Sequence, residues 1–240
     1  MPNTLPLHAT GLRRVGVPRT TFAPLSLPEP MARRALNIVI ALTGILLTLP
    51  LMTLIAIAIK CTSPGPVLYL QTRVGLDRRR AVRHPSVGSA DDQGGRPFRM
   101  FKFRTMKAAP AATEGPQVWA RPDDDRITSI GRWLRKFRLD ELPQLVNVLV
   151  GDMNVVGPRP EQPAIFATLR REIHAYVVRQ RTRPGITGLA QINLHYDQGL
   201  EDVRRKVALD LAYLRKQSVW EDLRIMLLTV PVMIGRRGGW

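Results

Sequence analysis

The 25 residues from Ala35 to Ile59 include no charged side chain, and that run constrains everything else the chain can be. About 20 predominantly apolar residues suffice to carry a helix across a bilayer, so a membrane segment is the first reading. A secretory leader fits poorly, because its apolar core needs only ~7–15 residues, although Ala56 and Ala58 imitate a cleavage site. Pro50 complicates a straight span, since proline lacks the N–H that an interior helical position donates and so kinks the helix. Fifteen residues of the run precede it and nine follow. At ~1.5 Å per residue these pieces measure roughly 22 Å and 13 Å. Neither alone crosses a hydrocarbon core of ~30 Å. The flanks add a second constraint: Arg33 and Arg34 lie before the run, and Lys60, Arg73, Arg78, Arg79 and Arg80 lie after it. Basic residues collect on the cytoplasmic side of a membrane. A helix that bends at Pro50 and enters and leaves by one leaflet satisfies both flanks, whereas a straight span satisfies one. The residues alone leave both arrangements open.

Around this segment the chain divides into three parts. Residues 1–30 carry Pro2, Pro6, Pro18, Pro24, Pro28 and Pro30 without apolar periodicity and read as a disordered tail, whose Arg13, Arg14 and Arg19 can meet anionic lipid. Residues 31–60 form the membrane helix, and 61–240 a domain on the cytosolic face. In that domain Pro64-Gly65-Pro66 precedes a strand-like Val67–Gln71, and 77–97 reads as a charged surface loop. Phe98–Met106 alternates aromatic and basic residues, as a half-buried strand does. The acidic triplet Asp123, Asp124 and Asp125 reads as a solvated turn ahead of a helix rather than a cation site. From Ile127 to Leu149, helical spacing places Ile130, Trp133, Leu134, Phe137, Leu142, Leu145 and Val146 on one apolar face, interrupted at Pro143 and ended at Gly151. A rigid loop (152–163), a basic helix (164–181), a turn (183–188), an amphipathic helix (199–217) and a short apolar helix (219–234) follow. The last is too short to span and either lies at the interface or packs on the core. The expected fold is α/β and mainly helical, with a re-entrant or spanning N-terminal helix.

The balance of 36 Lys and Arg against 19 Asp and Glu gives a net charge of +17, so the surface seeks anions. Aromatics make up only 6% of the chain, too few for a base-stacking nucleic-acid platform. One cysteine, Cys61, excludes an internal disulfide and suits a reducing compartment. No dinucleotide fingerprint, phosphate-binding P-loop, zinc-ligand spacing or serine-hydrolase elbow occurs in the sequence.

The stretch Arg132-Trp133-Leu134-Arg135-Lys136-Phe137-Arg138-Leu139-Asp140-Glu141 places two adjacent carboxylates after four cations. In one reading it is a helix surface with Lys136 and Asp140 as an ion pair four residues apart. In the other the cations keep a carboxylate ionised, and an ionised Asp can attack phosphorus to give an acyl phosphate. Arginines then screen the repulsion between anions. Arg159 in Gly157-Pro158-Arg159-Pro160 and Arg183 before Pro184-Gly185 stand on stiff loops suited to that task.

These residues resemble the bacterial sugar transferases, the monotopic phosphoglycosyl transferases that prime glycan assembly. The matching strings are KFRTM (102–106), DDRITSIGRWLRKFRLDELPQLVNVLVGDMNVVGPRP (124–160) and RPGITGLAQIN (183–193). A tail pattern runs through Asp210, Tyr213, Ser218, Asp222 and Thr229. The resemblance covers roughly 31–235. It implies transfer of a sugar 1-phosphate from a UDP-sugar to polyprenyl (undecaprenyl) phosphate, with release of UMP. Asp140 is then the nucleophile of a phosphosugar intermediate, Glu141 its support, and Mg²⁺ the cofactor bridging Asp140 and the diphosphate. Lys102, Arg104, Arg159 and Arg183 are implied to bind substrate, and Pro50 to break a re-entrant helix. The implied setting is the bacterial inner membrane, with inner-leaflet phospholipid and the two substrates as partners and no nucleic acid; the sequence leaves a homodimer open and does not fix the oligomeric state. Two features depart from the family: Leu49 replaces the usual Ser before the proline, with Thr48 one position earlier, and the loop 77–97 is longer than in the smallest members. Two competing readings are a membrane-tethered basic binding protein without catalysis, and a glycosyltransferase that releases UDP.

Overall fold

The computed structural model describes residues 29–77, 95–107, 124–194 and 199–234. The expectations for the tail to residue 28, for 78–94 in the long loop and for 108–123, including Asp123, lie outside the described residues. Helix α1 (Met31–Thr62) takes up the whole apolar run and continues through Pro50 as one 32-residue element. Pro50 leaves the Leu46 carbonyl without its helical donor. Nearby hydroxyls turn back onto the helix: Thr48 Oγ1 donates to the Gly44 carbonyl at 2.6 Å and Thr53 Oγ1 to Leu49 at 2.9 Å. Only a stripe of α1 is covered, through Arg33, Asn37, Ala41, Ile55 and Ile59, while Leu46, Leu47, Leu54 and Ile57 stand more than half exposed. A bare apolar side of that extent marks an interface.

The domain against α1 begins with an antiparallel hairpin of β1 (Leu68–Val74) and β2 (Pro97–Phe103), which pairs Leu68 with Phe103 and Val74 with Pro97. Helix α2 (Ser129–Lys136), a 3-10 turn (Leu139–Glu141), α3 (Gln144–Val150) and β3 (Asn154–Val156) follow. Then come α4 (Pro163–Glu172), a 3-10 stretch (His174–Arg181) and β4 (Gly185–Thr187), which lies parallel to β3. Helices α5 (Leu189–Asn193), α6 (Leu200–Lys216) and α7 (Val219–Ile234) complete a mainly helical α/β fold. The interior is divided into small clusters, and α1 enters two of them. Ala41 packs with Phe98, Met100, Val148 and Met153, and Ile55 and Ile59 pack with Phe103 and Leu134.

Both ends of α1 are fastened to this one domain. Arg33, which the sequence presents as a flanking charge, is 1% exposed. Its Nε donates to Asp222 Oδ2 at 2.5 Å, and its Nη2 donates to the Tyr213 hydroxyl and to the Val156 carbonyl. Arg34 donates to the Val148 and Leu149 carbonyls, which lie in the last turn of α3 where helical acceptors lack partners. At the far end, the Arg104 guanidinium binds the Ser63 and Pro64 carbonyls at 2.8 and 2.6 Å.

The single apolar face expected over 127–149 does not form. Helix α2 stops at Lys136 because Arg138 takes a left-handed conformation (φ 54°, ψ 22°) that turns the chain. Leu134 is buried, but Trp133 and Phe137 are 60% and 48% exposed and stack on each other at 5.7 Å. The Lys136 ammonium lies over the Trp133 ring at 5.2 Å. The surface pair of Lys136 with Asp140 is absent for the same reason, since a four-residue spacing shares a face only within one continuous helix. The basic helix expected over 164–181 is α-helical only to Glu172, where Ile173 becomes extended before the 3-10 stretch.

Candidate active site

Three elements converge on the dyad: the 3-10 turn supplies Asp140 and Glu141, β2 supplies Lys102, and the loop after β3 supplies Arg159. Arg138 is the only non-glycine residue with positive φ among the described residues. Such a conformation costs roughly 1–3 kcal/mol, and strain of this kind concentrates at functional sites. Here it reverses the chain after α2 and turns both carboxylates inward, leaving Asp140 and Glu141 8% and 7% exposed.

The two carboxylates are treated differently. Glu141 Oε1 accepts from Lys102 Nζ at 2.8 Å and from Arg159 Nη2 at 2.9 Å, and Arg138 Nη1 stands 4.0 Å from the other oxygen. Burial pushes the Glu141 carboxyl up, but Arg159, Lys102 and Arg138 together outweigh it and hold the group well below the usual carboxylate range. Asp140 has an ion pair with Lys102 at 3.8 Å and accepts no hydrogen bond among the described residues. Burial raises its pKa, with the Glu141 charge adding to the rise and the Lys102 charge opposing it. The cations near the dyad therefore fix Glu141 and leave the oxygens of Asp140 available.

Arg159 is presented by a loop whose backbone admits no side chain at Gly157. A Cβ there would lie 2.5 Å from the Arg183 carbonyl oxygen and 2.8 Å from the Gly185 nitrogen, main-chain atoms leading into β4. Gly157→Ala is expected to lower stability by roughly 1–3 kcal/mol through overpacking, read as a fall in melting temperature.

The other two arginines expected at the site, Arg104 and Arg183, hydrogen-bond groups other than the dyad carboxylates. Arg104 fastens the end of α1, as described above. Arg183 brings its main chain against Gly157, but its side chain donates to the Gly151 carbonyl at 2.8 Å and to Glu29. A cavity of about 660 Å³ is lined by Ser63, Lys107, Asp125, Thr128 and Arg132 among others, and neither dyad residue lines it. The tail pattern also acquires structural partners. Asp210 pairs with Arg179 at 2.6 Å. Tyr213 donates to Asp222 at 2.7 Å beside Arg33, Ser218 Oγ accepts from the Glu221 N–H near the start of α7, and Thr229 meets Thr187 at 2.8 Å.

The chain belongs to the bacterial sugar transferase family, whose model matches residues 28–236. Among curated relatives, it is 40% identical over 228 residues to the UDP-glucose:undecaprenyl-phosphate glucose-1-phosphate transferase of Escherichia coli (strain K12), covering 93% of this chain and 45% of that protein. It is 39% identical over 211 residues to the UDP-N-acetylgalactosamine-undecaprenyl-phosphate N-acetylgalactosaminephosphotransferase of Aeromonas hydrophila, covering 87% of this chain and 45% of the relative. It is 32% identical over 246 residues to the exopolysaccharide production protein ExoY of Rhizobium meliloti (strain 1021), covering 92% and 98%. The chain thus spans less than half the length of the first two and nearly all of the third.

Proposed function

We propose that the chain transfers a sugar 1-phosphate from a UDP-sugar to undecaprenyl phosphate. The observation that carries this reading is the inequality within the dyad: Glu141 accepts hydrogen bonds from Lys102 and Arg159, whereas the Asp140 side chain, 3.8 Å from Lys102, accepts none among the described residues. An Asp140 oxygen attacks the phosphorus attached to the sugar, and the bond from that phosphorus to the bridging oxygen breaks, so that UMP leaves. An oxygen of undecaprenyl phosphate then attacks the same phosphorus, which frees Asp140 and gives the polyprenyl-diphospho-sugar. Arg159 and Lys102 balance negative charge at the diphosphate, where fixed cations act most strongly in a partly buried site. Glu141, held ionised by these cations, positions them. Arg104 and Arg183 contribute through the fold, by fixing the end of α1 and the approach to β4.

The described residues contain no cluster of three or more metal-ligating side chains. A free carboxylate such as Asp140 still fits Mg²⁺, which is commonly held by one or two carboxylates together with substrate phosphates and water. Bound there, Mg²⁺ would neutralise charge on the diphosphate oxygens.

The re-entrant arrangement of α1 is part of the same reading. Its support is that Arg33 at one end and Ser63 at the other both bond to one domain, while the bare apolar side lies between them. One domain bonded to both ends of the helix supports a reading in which those ends lie on one side of the bilayer. That side is the cytoplasmic face of the inner membrane, with phospholipid against Leu46, Leu47 and Leu54.

The test is nucleotide release from nanodisc-held protein given Mg²⁺, undecaprenyl phosphate and a panel of UDP-sugars. UMP is the expected product; UDP would show plain glycosyl transfer, and no release from any donor would favour a binder without catalysis. Lys102→Met is expected to lower kcat/KM for UMP release roughly 10–100-fold, the equivalent of one lost charge-assisted hydrogen bond.

A further inference from the structure

Almost every main-chain carbonyl around Arg159 is bound. The Val156 oxygen accepts from Arg33 Nη2 at 3.1 Å, and the Pro158 oxygen accepts from the Gly185 N–H at 3.0 Å. Arg179 Nη2 donates to the carbonyl of Arg159 itself at 2.9 Å, and Arg73 Nη1 donates to that of Pro160 at 3.0 Å. The Glu161 oxygen accepts from the Val74 N–H at 2.9 Å.

We infer that Arg179 and Arg73 are positioning residues for Arg159, fixing the loop so that its guanidinium meets the donor diphosphate. The inference rests on the proposed role of Arg159. Both arginines are committed to this backbone. Arg179 is 2% exposed, its Nε donates to Asp210 Oδ2 at 2.6 Å, and its guanidinium lies 4.8 Å from the Tyr176 ring centre. Arg73 is orientated by Gln71 Oε1, which accepts from its Nε at 3.1 Å and its Nη2 at 2.7 Å. Glu161 stands 3.7 Å from Arg73 and accepts from Lys206 at 2.9 Å, so one carboxylate serves both cations at the second clamp. Packed apolar residues generally stabilise a fold as well as a buried ion pair of similar volume. Stability alone therefore does not account for two guanidiniums aimed at consecutive carbonyls, whereas a requirement for one loop geometry does. Arg73 and Arg159 repel each other, and this adds to the main effect of burial in pulling Arg73 down to about 10.

The test is a double-mutant cycle on the full chain in nanodiscs, with UDP-glucose or the panel member that releases UMP fastest. The variants are Arg159→Ala, Arg179→Lys and the pair. A lysine at 179 retains the charge for Asp210 but lacks the fork that reaches both Asp210 and the Arg159 carbonyl. Arg179→Lys is expected to lower kcat/KM by about 10²-fold, the scale of a 1 Å misplacement, with the loss shared between KM and kcat. On the Arg159→Ala background the same change is expected to cost less than about threefold, because residues acting as one unit are not additive. Independent losses that multiply in the pair would overturn the inference. Should Arg179→Lys fail to fold, Arg73→Gln replaces it in the same cycle with the same criterion. Arg159→Ala with unchanged kcat/KM would instead sink the phosphate-binding role of Arg159, and the inference with it.

Discussion

Asp140→Asn is expected to reduce UMP release by about 10⁴-fold or more, on the scale seen when a covalent nucleophile is removed. The same change is expected to leave the melting temperature unchanged or slightly raised. Asp140 is buried, accepts no hydrogen bond among the described residues and lies beside the charge of Glu141, which raises its pKa further. A neutral amide of the same shape relieves that repulsion. Activity lost with stability kept or gained is the mark of a group retained for chemistry. Glu141→Gln provides the contrast: it removes the common partner of Lys102 and Arg159, so it should lower both activity and melting temperature. A second readout is direct. Wild-type protein given donor without acceptor should gain the mass of a sugar phosphate on the peptide containing Asp140, removable by hydroxylamine. An adduct that persists in Asp140→Asn would exclude Asp140 as the nucleophile.

Asp222→Ala is expected to destabilise the protein by roughly 3–5 kcal/mol, because it removes the carboxylate hydrogen-bonded to the buried Arg33 guanidinium and leaves only Glu29, 3.8 Å away and shared with Arg183, to balance its charge. Arg33 and Asp222 are 1% and 0% exposed, and the pair joins the start of α1 to α7 across 189 positions of sequence. The hydroxyl of Tyr213 accepts from Arg33 and donates to Asp222, and both charged partners are buried, so water has little access to replace the lost carboxylate. Paired replacement, Arg33→Met with Asp222→Leu, should recover most of the loss, as apolar substitutes for buried ion pairs do elsewhere. Denaturant unfolding in a fixed detergent, followed by tryptophan emission, measures all three proteins. A loss below ~1 kcal/mol in Asp222→Ala would mean that Arg33 reaches solvent.

What the sequence discloses and what it hides separate along physical lines. The apolar run, the hairpin around Phe101 and Phe103, α6 and α7 are visible because their signals are local: length, alternation and helical spacing. The dyad with Lys102 and Arg159 is legible through the matching family strings, although no spacing rule shows that Lys102 lies 2.8 Å from Glu141. The left-handed Arg138 is invisible, since glycine and asparagine are the usual occupants of that conformation. Missing it places Trp133 and Phe137 in a core they do not enter. The buried charges are hidden for a different reason. Arg33 has the sequence context of a membrane flank and Asp210 that of a solvated helix, and each is redefined by a distant partner. Asp210, Tyr213 and Asp222 stand out within the tail pattern, but only tertiary contact supplies their roles.

The double fastening of α1 has a consequence for the lipid. A spanning helix must match the thickness of its bilayer, and mismatch is relieved by tilting, thinning or snorkelling. On the re-entrant reading, α1 has no far end to match. Arg33 and Ser63 are tied to the domain, so the depth of the mid-helix and the height of Asp140 above the acyl chains are set by one rigid frame. On the proposed function, the acceptor phosphate lies at the headgroup level in thin and thick membranes alike. Asp140, as the proposed nucleophile, would then meet it at the same height in either, and turnover should vary little across a series of lipids of increasing chain length.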